Sequence, residues 1–441
     1  MKKPAYKSGI SLISALVILM ATLACSLVVA HMLPASSSPN SKASKVSLPA
    51  GIRRVACPGL PGVANAWVQG TSPAGPAEIT DYSGKAIPAG TAQTVAASGL
   101  KLQVKPVAGE NAAAVGYVSG SGTEGENGFF ADHCTAPTNR AYFLTPGTTT
   151  GNSSTLHLVN PAGAPVTARI QIWTEQGPLG AKVTQTVPAR GGASLVLDGQ
   201  APGYNRLGVL VEAPGDGLNS WVSSTLATGA QKEGAAHSPA LAPPSLQTLI
   251  PAAKITDKAS LRVLNPSAAV ATLQASLLDA KGETPVSAPK KLQVARGAVF
   301  DIPLGGVKDG LVAVKLKSDQ PVVAAVFAEE VFTNKKTQAV YPSVVASTSG
   351  AVLTSAQAAN LAFVSSAPQK ITLTSAGKTQ EVVLKSGALN LVKVPNGVWQ
   401  WQSENAIHTG QLVGDPAGIF RTIGIGKAAQ EVAAITVNIN P

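Results

Sequence analysis

Short stretches of alternating apolar and polar residues run along the chain and are separated by turn-forming residues. Residues 155–161 read TLHLVNP and residues 260–266 read SLRVLNP, so each stretch places an alternating run before an Asn-Pro turn. Alternation with a period of two predicts a strand with one buried face, and Asn-Pro predicts a turn. The 43 glycines and 32 prolines leave few uninterrupted stretches for helices. The pattern therefore predicts a mainly β fold.

The same pattern recurs with a period of about 105 residues. VPARGGASLVLDG at 187–199 matches VARGAVFDIPLGG at 294–306, and a pair of strands closes each copy. Fainter copies occur at 361–413 and at 100–120. Self-similarity at a fixed period is the signature of repeat architectures. We therefore predict four related β modules, a degenerate first one and a divergent last one, over residues 51–140, 141–245, 246–346 and 347–441.

Each module offers several short alternating segments, with turn signals every ~8–12 residues. This spacing predicts tandem antiparallel β-sandwiches that resemble immunoglobulin or fibronectin-III domains, and a module of about 100 residues has the right size. The alternative is a β-propeller-like arrangement in which each repeat supplies two four-stranded blades. The two halves of a repeat show no similarity to each other, and this favours the sandwich.

The run from Ile10 to Leu33 carries no charge and follows Lys2, Lys3 and Lys7. As a helix it would be about 36 Å long, enough to span a membrane, and the lysines place its N-terminal end in the cytoplasm. We therefore predict a signal anchor over residues 1–33 and an extracellular remainder. A cleaved signal peptide ending near Ala30 and a lipoprotein modified at Cys25 are the alternatives. The Ser- and Pro-rich residues 34–50 predict a flexible linker.

Outside that run the chain has two cysteines, Cys57 and Cys134. Two cysteines in an oxidising compartment predict a disulfide. A metal site that includes His133 is the alternative, but no Cys-x-x-Cys pair supports it.

The net charge of +11 is spread along the chain without a concentrated basic block, so we predict no nucleic-acid partner. No HExxH or G-x-S-x-G motif occurs, and we predict no catalytic, cofactor-binding or metal-binding residues. Asp198 and Asp301 recur in the matched repeats, which favours a role in turns over catalysis. Arg190 and Arg296 recur before a glycine, where a solvated turn competes with carboxylate or glycan binding.

Trp399 and Trp401 are two positions apart in a predicted strand, so their side chains share one face. If that face is exposed, the two rings can stack on a sugar or a partner chain. We therefore predict a partner or glycan surface at Trp399 and Trp401.

The Cys57-Pro-Gly stretch, Cys134 followed by AYFLTPG, and the repeated L-x-L-V-N-P strand, together with the N-terminal anchor, resemble an actinobacterial family of secreted or membrane-anchored proteins. That family is known only as a domain of unknown function. The resemblance covers most of residues 51–441, implies an envelope-facing protein and supplies no catalytic residues. Residues 229–244 depart from a compact tandem, and we expect an exposed loop there.

These observations predict a membrane-tethered protein with a non-enzymatic binding or structural role at the cell envelope. Its partners would be the membrane, through the N-terminal helix, and an envelope glycan or a membrane protein. The alternatives are a cell-wall-acting enzyme with dispersed carboxylates at a module junction, and a spacer without a ligand.

Overall fold

The computed structural model describes residues 43–47, 53–72, 75–89, 91–96, 98–105, 113–122, 126–229, 231–286, 292–304, 310–332, 334–414, 420–425 and 434–438. In these ranges the regular structure consists of β-strands, so the prediction of a mainly β fold is confirmed. None of the described residues belongs to a helix that is long and apolar enough to cross a membrane. The predicted anchor over 1–33, with Ala30 and Cys25, lies outside the described residues.

Strand β1 (Ala43–Ser47) precedes the first module. That module contains β2 (Arg53–Cys57), β3 (Val63–Ser72), β4 (Gly75–Ala77), β5 (Ile79–Asp81), β6 (Ala92–Val95), β7 (Leu100–Val104), β8 (Ala113–Gly122) and β9 (Gly128–His133). One sheet has the order β2-β7-β5 and the other the order β6-β3-β8-β9, with β4 also paired to β3. The predicted disulfide between Cys57 and Cys134 is confirmed, and both cysteines are part of this module's core.

The second module contains β10 (Arg140–Pro146), β11 (Ser153–Val159), β12 (Val166–Thr174), β13 (Gly177–Pro178), β14 (Val183–Val187), β15 (Gly192–Val196), β16 (Arg206–Glu212), β17 (Asn219–Thr228) and β18 (Gln231–Ser238). Strands β10, β16, β12 and β13 lie in this order in one sheet, and β14 also pairs with β12. The other sheet has the order β15-β11-β17-β18.

The third module contains β19 (Ser245–Ile255), β20 (Ser260–Leu264), β21 (Ala271–Leu278), β22 (Glu283–Pro285), β23 (Leu292–Val294), β24 (Val299–Pro303), β25 (Gly310–Phe332) and β26 (Lys335–Pro342). The fourth contains β27 (Ser347–Thr354), β28 (Asn360–Val364), β29 (Gln369–Ser375), β30 (Lys378–Leu384), β31 (Leu389–Lys393), β32 (Gly397–Gly414) and β33 (Phe420–Ile425). The last strand of the chain is β34 (Ala434–Asn438).

All four modules follow one pairing plan. In the second module β16 lies between β10 and β12 in one sheet, while β17 lies between β11 and β18 in the other. In the third module one long strand, β25, takes the places of both central strands. Its first half pairs with β19 and β21 in one sheet, and its second half pairs with β20 and β26 in the other. The immunoglobulin or fibronectin-III topology is not confirmed, because the last strands of an immunoglobulin sandwich lie together in one sheet.

The two sheets of a module share one hydrophobic core. In the second module a single buried cluster joins Phe143 and Val209 of the first sheet to Leu156 and Val222 of the second. Alternation explains this arrangement, because the apolar residues of each strand point to the inner face and the intervening residues point outward. The outward residues of each sheet are therefore available for contacts between modules.

The modules contact one another in a closed ring. Ala56 of the first module packs with Val159 and Trp221 of the second, and Leu144 of the second packs with Leu264 of the third. The remaining contacts join the third module to the fourth through Leu278 and Val364, and the fourth to the first through Val413 and Tyr117. This closed arrangement resembles a propeller with four blades, in which each module takes the place of one blade. It matches the alternative prediction of a β-propeller-like arrangement.

The last strands of the four modules, β9, β18, β26 and β33, contact one another. Thr337 of β26 donates a hydrogen bond to the Ala235 carbonyl of β18 at 2.8 Å, and Arg421 of β33 pairs with Glu330 of β25 at 2.7 Å. Strand β18 lies within residues 229–244, where we expected an exposed loop. That expectation is wrong, because residues 234–238 are buried against the neighbouring modules.

The chain divides into two compact units, residues 50–431, which hold the four modules, and residues 1–49 with 432–441. In the second of these, β1 pairs with β34 in an antiparallel sheet. The linker predicted over 34–50 therefore contains a strand, whose partner lies almost 400 residues away in the sequence and could not be found from local composition.

Candidate functional site

The predicted surface at Trp399 and Trp401 is wrong. The two side chains share one face of β32 as predicted, but that face points into the core of the fourth module, and the residues are only 4% and 1% exposed. The indole N–H of Trp399 donates to the Pro395 carbonyl at 2.8 Å, and the ring of Trp401 meets the Phe363 ring edge-on. These rings stabilise the fold and are closed to a ligand.

Asp198 and Asp301 have different roles. Asp198 accepts a hydrogen bond from the Ser154 backbone N–H at 2.9 Å, as expected of a structural residue near a strand end. Asp301 does not serve a turn, because it lies within β24 and binds Arg262 through both carboxylate oxygens, at 2.8 and 2.9 Å. By strand register Asp301 corresponds to Ser194, which pairs with His157 as Asp301 pairs with Arg262.

One position of the repeat differs in a way that changes each junction. His157 of β11, Arg262 of β20 and Ala362 of β28 are equivalent, since the strands that flank them have the same register. All three lie on the outward face of the second sheet, which faces the preceding module. The side chain at this position therefore determines whether a junction is closed by charge, closed by apolar packing or left polar.

The junction of the second and third modules is closed by a buried ion pair. Arg262 is 6% exposed, holds Asp301 through two hydrogen bonds, and also donates to the Thr145 carbonyl of the second module. Its guanidinium lies 4.3 Å from the centroid of the Phe327 ring, within the range of a cation–π interaction. The equivalent Ala362 belongs to an apolar cluster that closes the junction of the third and fourth modules.

The junction of the first and second modules is lined by polar groups instead. His157 Nε2 lies 2.8 Å from Ser223 Oγ, and His157 Nδ1 lies 3.2 Å from Ser194 Oγ. The imidazole stacks on the indole of Trp221 with 5.3 Å between centroids. Ser194 is exposed, and His157 and Ser223 are half-buried. We refer to Ser194, His157 and Ser223 as the His157 row.

The imidazole of His157 is uncharged at neutral pH. Burial lowers the pKa of His157 to about 4, and the nearby positive charge of His237 contributes to the shift. A neutral imidazole has one nitrogen that donates and one that accepts. The two serine hydroxyls can therefore satisfy both nitrogens, and they also have capacity left for a further hydrogen bond.

A buried hydrogen bond between a histidine and an aspartate adjoins the His157 row. His237 of β18 is the cross-strand neighbour of Ser223, and its Nε2 lies 2.8 Å from Asp132 Oδ2 of the first module. Burial alone would raise the pKa of Asp132, but hydrogen bonds from His133 and His237 and their charges hold it below its ordinary value. Within the described residues His237 Nδ1 has no hydrogen-bond partner. The described residues include no group of three or more ligands that could hold a metal ion.

Sequence reasoning missed this site. His157 was visible as the variable residue in the matched stretches TLHLVNP and SLRVLNP, where the repeat has an arginine instead. His237 was hidden in residues 229–244, which lack an apolar alternation. The signal that could have found His157 is a difference in residue type at one position of two otherwise matching repeats; no motif marks it.

The chain belongs to a family of unknown function, DUF5719, whose model matches residues 89–395. The resemblance to a family of unknown function is therefore confirmed. No curated protein matches the chain. One solved chain, described under "Structural insight into host cell surface retention of a 1.5-MDa bacterial ice-binding adhesin", has 11% identity and a TM-score of 0.11; the match covers 67% of this chain and 100% of that one. So low a TM-score carries no argument about the fold.

Proposed function

We propose that the protein is a membrane-tethered, extracytoplasmic binding protein without enzymatic turnover, and that its ligand contacts the junction of the first and second modules. One observation carries the proposal. Where the repeat has the buried Arg262 at one junction and the buried Ala362 at the next, it has the half-buried, polar His157 here. This repeat position is buried at two junctions and half-buried and polar at the third, so we expect the third junction to contact the ligand.

Two features of the chain support the proposed extracytoplasmic, membrane-tethered location. The uncharged run from Ile10 to Leu33 suits a membrane anchor with the modules outside. The disulfide between Cys57 and Cys134 suits an oxidising compartment, since such bonds persist there and are rare in the cytosol.

The chemistry of the His157 row suits a hydroxyl-rich ligand such as an envelope glycan. Its hydroxyls and neutral imidazole both donate and accept hydrogen bonds, as sugar hydroxyls do. Trp221 lies beneath the imidazole and restricts its orientation. A row of fixed polar groups loses little conformational entropy when it binds a ligand.

A site-specific crosslinking experiment tests the proposal. A photo-crosslinking amino acid replaces Ser194 in the full chain in intact cells, and the matched control carries it at Leu391, the register equivalent of Ser194 in the fourth module, which is 53% exposed. We expect a discrete glycan adduct at Ser194, its loss in a His157→Leu background, and no such adduct at Leu391. Equal adducts at both positions, or none at Ser194, would contradict the proposal.

A second candidate function is hydrolysis at the same place, because 2.8 Å between His157 Nε2 and Ser223 Oγ is the distance of a base and a nucleophile. Two features oppose it. The carboxylate of Asp132 pairs with His237 and not with His157, and a pKa of about 4 makes His157 a weak base at neutral pH. A fluorophosphonate probe that labels Ser223 in the wild type but not in His157→Gln would establish the hydrolase and reject the binding protein.

A further inference from the structure

The wall of the first module that faces this junction is basic. The register of β2 and β7 pairs Arg54 with Gln103 and Ala56 with Lys101. Their neighbours Val55 and Leu102 point into the module's core, so these four point outward. Ala56 contacts Trp221 of the second module, which places Arg54 and Lys101 on the same side of the junction.

The second module contributes Arg190 to the same place. Lys101 Nζ donates to the Arg190 carbonyl at 3.3 Å, and the Arg190 backbone N–H donates to the Ala162 carbonyl at 2.9 Å. Arg190 has a φ of 52°, which is unfavourable for a residue other than glycine. The hydrogen bonds on both sides fix its backbone, while its side chain stays exposed.

The hydroxyl of Tyr82, which follows β5, is buried and has no hydrogen-bond partner among the described residues. Burial raises the pKa of Tyr82 to about 12, and the charges of Arg54 and Arg190 oppose the rise. The hydroxyl is therefore protonated at neutral pH and lies within electrostatic range of both guanidinium groups. A buried donor without an acceptor destabilises the folded protein, and an incoming acceptor would remove that destabilisation.

No carboxylate neutralises this cluster in the described part of the chain. Neither Arg54 nor Arg190 has a side-chain ion pair or hydrogen bond there. The acidic residue next to Tyr82 in the sequence is Asp81, but its carboxylate is engaged within its own turn. Asp81 Oδ1 accepts hydrogen bonds from the backbone N–H and the hydroxyl of Ser83 and from the Lys85 N–H. Three cations and one unpaired hydroxyl donor thus come from two modules to one junction.

We infer that this junction binds an oxyanion, a phosphate or carboxylate group carried by an envelope polymer, with Arg54 and Arg190 as charge partners and the Tyr82 hydroxyl as a donor. The inference rests on the proposed binding function and adds the charge of its ligand. Guanidinium groups suit both oxyanions, because their parallel N–H donors match two oxygens of either group. The His157 row beside the cluster would then contact the sugar or polyol part of the same polymer.

The test measures binding of the full chain, in detergent micelles at low salt, to a fluorescent poly(glycerol phosphate) oligomer, with inorganic phosphate as competitor. The variants are Arg54→Gln, Arg190→Gln and Tyr82→Phe. The matched control is Arg296→Gln, since Arg296 recurs in the corresponding exposed turn of the third module. We expect each arginine variant to weaken binding about tenfold, the loss of one charge-assisted hydrogen bond, and the control to weaken it less than about twofold.

The tyrosine variant adds an independent readout. Tyr82→Phe removes the unpaired hydroxyl, so we expect a higher melting temperature without the oligomer and a smaller increase when the oligomer is added. Competition by free phosphate alone, as strong per phosphate as the oligomer, would identify free phosphate as the source of the oxyanion. Equal weakening by Arg296→Gln and Arg190→Gln, or no binding by the wild type, would overturn the inference.

The two proposals fail in distinguishable ways. A discrete adduct at Ser194 together with no oxyanion binding would reject the charged ligand and keep the binding function. The absence of both would reject the binding function as well.

Discussion

His157 and Arg262 occupy the same position in two tandem modules, and each determines the character of one junction. Arg262 is buried and bound to Asp301, Thr145 and the Phe327 ring, whereas His157 is half-buried between two serines. The surrounding strands have the same register. The difference in side chain therefore accounts for the difference between a closed and a polar junction.

Arg262→Ala should destabilise the protein by about 2–4 kcal/mol, because it leaves Asp301 with only the longer contact to Arg206, at 3.4 Å, and breaks a mostly buried pair. Urea unfolding monitored by circular dichroism measures the change. Lys258→Ala is the control, since its pair with Glu329 is exposed and should contribute much less to stability. Equal effects of the two substitutions would show that Arg262 does not hold the junction.

Trp401→Ala should destabilise the fourth module by about 3–5 kcal/mol, the cost of a large cavity in a packed core. The ring is almost fully buried and meets Phe363 edge-on. Val383→Ala in the same module is the control: its side chain is 68% exposed, and its loss should change stability by less than about 0.5 kcal/mol. Unchanged stability in Trp401→Ala would show that this ring does not support the core of the fourth module.

The sequence predicted what depends on local pattern. Alternation located the strands and turns, the repeat located the modules, and the two cysteines located the disulfide. It also predicted correctly that Trp399 and Trp401 share a face. Alternation does not say which face is outward, and only the packing of β32 against Phe363 decided that the indoles are buried.

The sequence favoured separate sandwiches over the propeller-like ring and missed β18, for related physical reasons. Closure depends on contacts between Val413 and Tyr117, at opposite ends of the repeat array. Strand β18 has small residues where alternation would need large ones. An added Cβ at Gly234 would collide with the Lys336 and Asn127 carbonyls, so a close backbone approach helps to bury this strand. The small side chains of Ala235 and Ala236 complete the burial.

Removal of the disulfide in Cys57→Ser/Cys134→Ser should cost about 2–4 kcal/mol, since the bond closes a loop with a sequence separation of 77. Hydrogen exchange should locate the loss in the first module, because both cysteines belong to its core. The wild type treated with a reductant should show the same pattern. Uniform loss of protection in all four modules would mean that the ring unfolds as one unit.

Retention of the N-terminal run is expected in the mature protein, because Ile10 to Leu33 is longer than the apolar part of a signal peptide. N-terminal sequencing of the membrane fraction tests it. A mature start between His31 and Ala35 would identify a cleaved signal peptide, and a lipid on Cys25 would identify a lipoprotein.

The stability of the protein should fall as the pH drops from about 6.5 to about 4, in part through His157. Burial, and then the charge of His237, lower its pKa from 6.5 to about 4 in the folded state. Between these values the unfolded chain binds more protons than the folded one, so acid favours unfolding, and the stabilisation is complete only above pH 6.5.

Half-buried His408 has a pKa lowered to about 4 by the same desolvation, so it should act in the same direction from a strand of the fourth module. Urea titrations at pH 7 and pH 4.5 measure the fall. His157→Gln and His408→Gln should each reduce it by about 1–2 kcal/mol, an amount discounted for the partial exposure of the rings. The two reductions should add in the double variant, because the residues lie in different modules.

The titration of Asp132 does not contribute to the difference in stability between pH 7 and pH 4.5. Its pKa lies below the ordinary value, so its contribution is present at pH 4.5 and is lost only in stronger acid. Binding offers a second readout that His408 should not affect. Protonation of His157 removes an acceptor nitrogen beside Ser223 and position 194, so the crosslink from position 194 should weaken as the pH falls through about 4, with His408 intact and with His408→Gln alike. A fall in stability that is unchanged in His157→Gln would mean that this imidazole is already solvated in the folded protein.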